Sequence, residues 1–465
     1  MSAVSALMVA GVSSGVGKTS ISVGLMAALR SSGYSVSGAK VGPDYIDPSY
    51  HRIATGKPSY NLDLFMTGRL GIAESFRRAA AGAHLCVVEG VMGLFDGSDH
   101  PGIDATISAA SDAQIPAHRG LHSSYEVAIE LGLPILLVMD ARASSQSLAA
   151  VAAGFRSISE EGSICGVVLN RVRSDRHEQL ASEALTSLGI PIFGVLRDGA
   201  LPSFESRHLG LIPSEARLAD AKNDIALIES AVRTALDLEA LLGQFRPIEL
   251  SKSRAQTPSR TPSVAIAVAQ GPAFSFTYQE NLDILTESGA EVIGFDPASD
   301  KFPEGATAVI LGGGFPELYL EQINDNLANL KPIATLHHGG MPIWAECGGL
   351  MLLGERIDRS YGLGVLPLAT SMTKKLSLGY QRATAQSESL LFPAHATVFG
   401  HEFHYSLPSD QGNLLISDFE PSRVHGFGSA TLYASYLHLH LGSQLDISAR
   451  FLAAARKFAA SRAKN

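Results

Sequence analysis

Short uncharged apolar runs recur along the chain, separated by stretches in which apolar residues return every three or four positions. Ala6 to Ala10, Leu85 to Val88, Pro134 to Met139 and Cys165 to Leu169 are runs of this kind, with the length of strands buried on both faces. Ile21 to Leu29 has the helical period. Buried strands alternating with helices predict βαβ units and a parallel sheet. The rhythm breaks at Arg246 to Ser263, RPIELSKSRAQTPSRTPS, which is polar, Pro-containing and poor in large apolar residues, and reads as a linker. It resumes with the strand-like runs Val264 to Ala269 and Ala308 to Leu311, between which Asn281 to Ser288 has a helix pattern. The expected organisation is α/β throughout: a first domain at 1–245, a linker at 246–262 and a second domain at 263–465.

A chain of 465 residues has room for two or three domains. Its net charge of −9 argues against general affinity for nucleic acid or anionic membranes, both of which need clustered Lys and Arg. Residues 1–11 carry no basic segment ahead of their apolar stretch, and no run reaches bilayer length. The expectation is a soluble, cytoplasmic protein with small-molecule partners. Cys86, Cys165 and Cys347 are too scattered for a disulfide framework or a metal site and read as reduced thiols.

Three stretches of the first domain carry chemistry. Gly11-Val12-Ser13-Ser14-Gly15-Val16-Gly17-Lys18-Thr19-Ser20 follows a strand and opens a helix, the setting of a phosphate-binding loop. Glycines let the backbone wrap a polyphosphate, Lys18 can reach the outer phosphates, and Thr19 can ligand Mg²⁺. The usual spacing places glycine at position 12, which is Val here, so the loop is a variant. Ser13, Ser14, Gly15, Val16, Gly17, Lys18, Thr19 and Ser20 are the candidate nucleotide contacts. Lys40-Val41-Gly42-Pro43-Asp44-Tyr45-Ile46-Asp47-Pro48 sets two carboxylates three apart, suited to Mg²⁺ or substrate, although turn chemistry is the commoner role of Asp beside Pro. Glu89 ends an apolar strand, where open α/β sheets bind ligands, and Thr19, Glu89 and Asp44 form a candidate Mg²⁺ set. Asp96 reads as a turn residue or a substrate contact. Asn170, at another strand end, could meet a purine or cap the loop.

In the second domain, Cys347 lies between an apolar run and a glycine pair, in Trp344-Ala345-Glu346-Cys347-Gly348-Gly349. A thiol on a strand-to-helix turn is exposed to attack chemistry and near a helix N-terminus. A small buried core thiol is the bland alternative. Leu311-Gly312-Gly313-Gly314-Phe315-Pro316-Glu317 follows a strand and could supply oxyanion-hole amides from Gly313 and Gly314, with Gly348 beside the thiol. Tyr436-Leu437-His438-Leu439-His440 offers two histidines two apart, hence on one face of a strand. Cys347 as nucleophile with His438 as base is the reading that uses all three features.

With these motifs together, the chain resembles the cobyrinic or hydrogenobyrinic acid a,c-diamide synthases, glutamine amidotransferases of corrin biosynthesis. The first domain is similar to dethiobiotin synthetase-like P-loop enzymes through GVSSGVGKTS, KVGPDYIDP and VEGVMGLFDG. The second resembles class I, triad-type amidotransferase domains through AFSF, ENLDIL, LGGGFPE, AECGGLM, LGY, GHEFHYS and ASYLHLH. The resemblance implies ATP and Mg²⁺ as cofactors, L-glutamine and a tetrapyrrole carboxylate as partners, and a homodimer as one admissible assembly. It assigns Cys347 and His438 to glutamine hydrolysis, the loop residues with Asn170 to ATP, and Asp44, Tyr45, Ile46, Asp47 and Asp96 to the macrocycle. His440 stands where related amidotransferases carry Glu, which predicts a catalytic pair without a carboxylate orienter.

The connection from Gly97 to Tyr125, with His100, His118 and His122, is longer than the resemblance predicts; these read as loop histidines rather than metal ligands. Three rivals remain: a Ni-sirohydrochlorin a,c-diamide synthase with the same motifs, a cobyric acid synthase, and a non-enzymatic P-loop switch with a degenerate amidotransferase domain. KVGPDYIDP favours the a,c enzymes, and an intact Cys347 with His438 opposes the switch.

Overall fold

A computed structural model describes residues 3–104, 119–202, 218–250 and 264–463. The chain divides into two units, 1–64 with 68–253, and 254–465 with 65–67.

In the first unit, β1 (Ala3–Gly11), β2 (Val36–Val41), β3 (Tyr60–Leu62), β4 (Leu85–Glu89), β5 (Ile135–Asp140), β6 (Ile164–Val172) and β7 (Ile192–Arg197) pair in the order β3-β2-β4-β1-β5-β6-β7. All of these pairings are parallel. Both sheet faces are buried, as the uncharged runs predict: Ala6, Met8 and Ala10 of β1 enter one apolar cluster and Leu7 and Val9 the other. Helix α1 (Lys18–Ser31) packs Ile21, Leu25 and Met26 into the second cluster with Ile228 and Val232. Strand β4 runs between β1 and β2, which places Glu89 opposite Val9 on one side and Lys40 on the other. Helix α2 (Asp47–Thr55) follows β2 closely and starts with Asp47.

The linker expected at 246–262 starts later than composition suggests. Arg246–Glu249 forms a strand, β8, antiparallel to Ala3–Ala6 of β1. Strand β5 covers only Met8–Gly11 of β1, so the first half of β1 offers backbone groups that β8 satisfies. The linker residues from 251 onward lie outside the described residues, as do 105–118 of the long connection, His118 included. Its two ends meet at an isolated bridge between Ser98 and Leu121.

The second unit contains β9 (Val264–Ala269), β10 (Ala290–Phe295), β11 (Ala308–Leu311) and β12 (Ile343–Glu346), ordered β10-β9-β11-β12 and continued by Leu432–Ser435, all parallel. Ile266 and Val268 face one core and Ala267 and Ala269 the other. A second sheet, built on the antiparallel pair Ala369–Ala385 and Thr397–Pro408, takes Leu437–Leu439 at its edge. The chain therefore changes sheets at Tyr436, carrying His438 from the end of one sheet into the other. Among the described residues no helix is long and apolar enough to cross a membrane.

Candidate functional site

Each unit holds one constellation at the carboxyl ends of its parallel strands. In the first, the loop between β1 and α1 turns on Gly15 and Gly17, with φ of 74° and 97°, values that glycine adopts without strain. Gly17 is also tightly approached: a Cβ there would lie 2.3 Å from Asn170 Nδ2. Ser13, Ser14 and Gly15 are exposed, whereas Val16 and Ser20 turn their side chains into the protein, leaving only their backbones to a ligand. Asn170 donates to the Val16 carbonyl at 2.9 Å, the loop-capping alternative of the two expected.

Lys18 is buried and donates to the carbonyls of Met92 at 2.5 Å and Ser13 at 3.2 Å. Burial, reinforced by the neighbouring Lys40 charge, pulls its pKa down to about 8. Thr19 Oγ1 donates to Glu89 at 2.7 Å and lies 3.4 Å from Asp47 Oδ2. Asp47 thus takes the place at Thr19 that the sequence suggested for Asp44. Asp44 instead accepts the amides of Ile46 at 2.8 Å and Asp47 at 3.0 Å, closing the turn that starts α2. Asp96, exposed, accepts the Gly93 amide at 2.7 Å, also a turn bond. Tyr45 and Ile46 are half-buried beside them.

Two residues join this constellation that the sequence did not single out. Lys40 bridges Asp47 at 2.7 Å and Glu89 at 3.0 Å and donates to the Gly90 carbonyl. Burial works against its charge, but Asp47 and Glu89 outweigh it and raise the Lys40 pKa. His51 bonds Glu89 Oε2 at 2.7 Å and Ser59 at 3.1 Å. Burial would raise the Glu89 pKa, yet Lys40 and His51 hold it far below the usual carboxylate range. A lysine inside the apolar run Val36–Val41 was the available signal, since a charge there must be paired. His51 gave none. The Thr19 hydroxyl with the Glu89 and Asp47 carboxylates is a hard-oxygen set that fits Mg²⁺ completed by phosphate oxygens. Among the described residues no cluster of three or more His, Cys, Asp or Glu could hold a metal alone.

In the second unit, Cys347 sits between β12 and the helix Gly348–Leu353 at φ 49°, ψ −106°, a conformation that side-chain-bearing residues rarely hold and that tends to mark functional turns. Its amide donates to the Ser435 carbonyl at 2.8 Å, and its Sγ lies 3.4 Å from the Phe403 carbonyl. His438 is fully buried, and Cys347 and Glu346 are the neighbours that act on its charge. Burial lowers its pKa, but Cys347 and Glu346 outweigh that and push it up to about 10. The glycine loop packs directly on this pair. A Cβ on Gly313 would lie 2.2 Å from His438 Cε1, and one on Gly348 would lie 3.4 Å from the Gly314 nitrogen. The expectation for Gly313 needs correcting: its amide donates to the Phe276 carbonyl at 3.2 Å, so it provides room for the imidazole rather than an oxyanion donor. Gly314 and Gly348 keep their positions beside Cys347. His440 lies apart from the pair, with Nδ1 accepting from the Gly442 amide at 3.1 Å and Nε2 3.9 Å from Glu280.

Comparison with known proteins follows this division. Residues 7–212 match the CobQ/CobB/MinD/ParA nucleotide binding domain, and residues 265–445 match the CobB/CobQ-like glutamine amidotransferase domain. The chain is 39% identical to a hydrogenobyrinate a,c-diamide synthase of Streptomyces coelicolor, covering 97% of each chain. It is 38% identical to a cobyrinate a,c-diamide synthase of Synechococcus, covering 97% of this chain and 98% of that one. A hydrogenobyrinate a,c-diamide synthase of Thermobifida fusca is 36% identical over 96% of both.

Proposed function

We propose, for a chain that belongs to the cobyrinate and hydrogenobyrinate a,c-diamide synthase family, that it converts the a and c carboxylates of a corrin to amides at the expense of ATP, with nitrogen from glutamine. The observation that carries this reading is the presence, in one chain, of a nucleotide-binding domain and a buried Cys347–His438 pair on a strained turn.

The two constellations divide the chemistry. A carboxylate is a poor acyl donor, so its oxygen attacks the terminal phosphorus of ATP, releasing ADP and leaving an acyl phosphate; ammonia then attacks the acyl carbon and phosphate departs. The loop amides and Lys18 would hold the polyphosphate, and charge neutralisation and alignment are what such a transfer needs. Thr19, Glu89 and Asp47 would hold Mg²⁺, which supplies positive charge to the phosphates. Asp44, Tyr45, Ile46 and Asp96 remain the candidates for the macrocycle side. In the other unit the Cys347 proton rests on His438, whose raised pKa favours a thiolate–imidazolium pair; the thiolate attacks the glutamine amide carbon, and His438 gives the proton to the leaving ammonia. Water then releases glutamate from the thioester. Gly314 and Gly348 would stabilise the oxyanion.

Mass spectrometry of hydrogenobyrinic acid, cobyrinic acid and Ni-sirohydrochlorin, each incubated with protein, ATP, Mg²⁺ and glutamine, tests the reading. Two successive amidations of a corrin are expected. Amidation of Ni-sirohydrochlorin alone would move the enzyme to that pathway, and no amidation of any of the three would overturn the proposal.

A further inference from the structure

We propose that Glu346, the residue immediately before the nucleophile, is the carboxylate that positions and charges His438, completing a triad whose third member comes from the nucleophile's own strand. The inference rests on the assignment of Cys347 and His438 above. Glu346 Oε2 lies 3.5 Å from His438 Nδ1, with both side chains buried. Its other oxygen is fixed by two donors, the Trp344 indole at 2.8 Å and the Leu439 amide at 3.1 Å. The carboxylate is therefore held by the backbone on one side of His438 and by the strand that ends at Cys347. With Nδ1 turned to Glu346, Nε2 is left for the thiol, which is the tautomer a base needs.

The other groups around His438 do not compete for this role. His440 turns to Gly442 and Glu280. On the neighbouring strand Thr397–Pro408, His401 faces His438 in register. Burial, with the charge of His438 added, pulls His401 down to about 3. His404 is pulled down by burial to about 4, so both rings are neutral at working pH. Glu402, on the same strand, is paired with Arg423. Glu346 is thus the carboxylate directed at the imidazolium that forms when Cys347 gives up its proton. No new covalent step is needed: the proton moves from Sγ to Nε2 and then to ammonia, while the Nδ1 proton stays between His438 and Glu346.

The test compares Glu346→Gln with wild type. Gln keeps an acceptor for Trp344 and Leu439 but turns its amide NH₂, a donor, toward His438 Nδ1, so it removes both the charge and the acceptor that fixes the imidazole tautomer. Glutaminase kcat is expected to fall about 100-fold or more, with KM for glutamine nearly unchanged. The pH profile of iodoacetamide alkylation at Cys347, read by mass spectrometry of its peptide, should move to higher pH, a shift that a purely structural role would not produce. Far-UV circular dichroism and ammonia-driven amidation report whether the protein is otherwise intact. If Gln does not fold, the pair Glu346→Asp and Glu346→Asn repeats the charge comparison, and Asp must be the more active. Glutaminase and alkylation profiles within twofold of wild type, or Asp no better than Asn, would overturn the inference. Glutaminase surviving in Cys347→Ser would instead overturn the assignment on which it rests.

Discussion

Gly313 and His438 exclude any side chain between them: a single methyl on Gly313 would lie 2.2 Å from Cε1 of the imidazole. Real contacts of this kind do not fall below about 3 Å, so either the ring or the loop has to move. The loop is pinned by the backbone bridge between Gly313 and Phe276, whereas the imidazole can turn about its side-chain bonds. Gly313→Ala should therefore swing His438 out of line with Cys347. Glutamine-dependent amidation should fall at least about 100-fold, since a misplacement of about 1 Å is enough for that, while amidation with ammonium salts continues. Steady-state assays with the two nitrogen sources check this; equal loss with both would mean that the two activities do not separate.

Cys347→Ser should likewise abolish glutamine use and spare ammonia use, because only the thiol step is removed. The backbone adds a second expectation. Glycine normally costs about 0.5–1 kcal/mol against alanine, but at φ 49°, ψ −106° an alanine inherits the strain of the turn. Cys347→Gly should therefore be at least as stable as Cys347→Ala in urea unfolding. The usual order, Ala above Gly, would show that the turn is not strained.

Lys18 links function to a stability cost. Its folded pKa of about 8 lies below the ordinary value of 10.5, so the unfolded chain binds this proton more tightly. Between those two values stability contributed by Lys18 rises with pH, and below about 8 the full cost of burying the charge is present. Lys18→Met, which keeps the length and drops the charge, should melt several degrees higher than wild type at pH 7. The gap should narrow as pH climbs from 8 towards 10. The same variant should lose amidation from either nitrogen source. A lower melting temperature for Lys18→Met at pH 7 would contradict the desolvation argument.

Much of this arrangement could be read from the sequence where chemistry depends on neighbours along the chain. The glycine spacing around Lys18 and Thr19 and the turn at Cys347 are local signals, and buried strands such as β1 and β9 declare themselves by uncharged runs. What depended on strand order was hidden. Lys40 meets Glu89 because β2 pairs with β4, a choice that no local pattern encodes. Glu346 was in plain view next to Cys347, but its aim at His438 follows from the crossing of Leu437–Leu439 into the second sheet. The strand Arg246–Glu249 looked like linker because a short edge strand needs backbone pairing more than apolar side chains. Gly313 looked like an oxyanion donor because sequence cannot show where an amide has already been spent.

The Lys40 ammonium should prove the main counter-charge for two carboxylates, half-buried Asp47 at 2.7 Å and fully buried Glu89 at 3.0 Å. Breaking a buried pair by removing one partner leaves the other charge uncompensated and typically costs about 3–5 kcal/mol. Lys40→Met should fall in that range at neutral pH. The cost should depend on pH with a definite sign. In wild type the Glu89 pKa is held low, so its contribution is present above the ordinary carboxylate range and is lost only as pH falls through the folded value; the Asp47 pKa is instead raised by burial and by the neighbouring Asp44 and Glu89 charges, so the sign rests on Glu89. Without Lys40 the carboxylates take up protons more readily, which relieves the variant in acid. The stability gap should therefore be widest near pH 8 and shrink towards pH 5. A second substitution, Asp47→Asn, removes one of the stranded charges and should recover part of the loss, because the two sites share a partner and their effects do not add. Thermal melts of the single and double variants from pH 5 to 8 check all three expectations. A pH-independent gap would mean that Lys40 acts by packing rather than by charge.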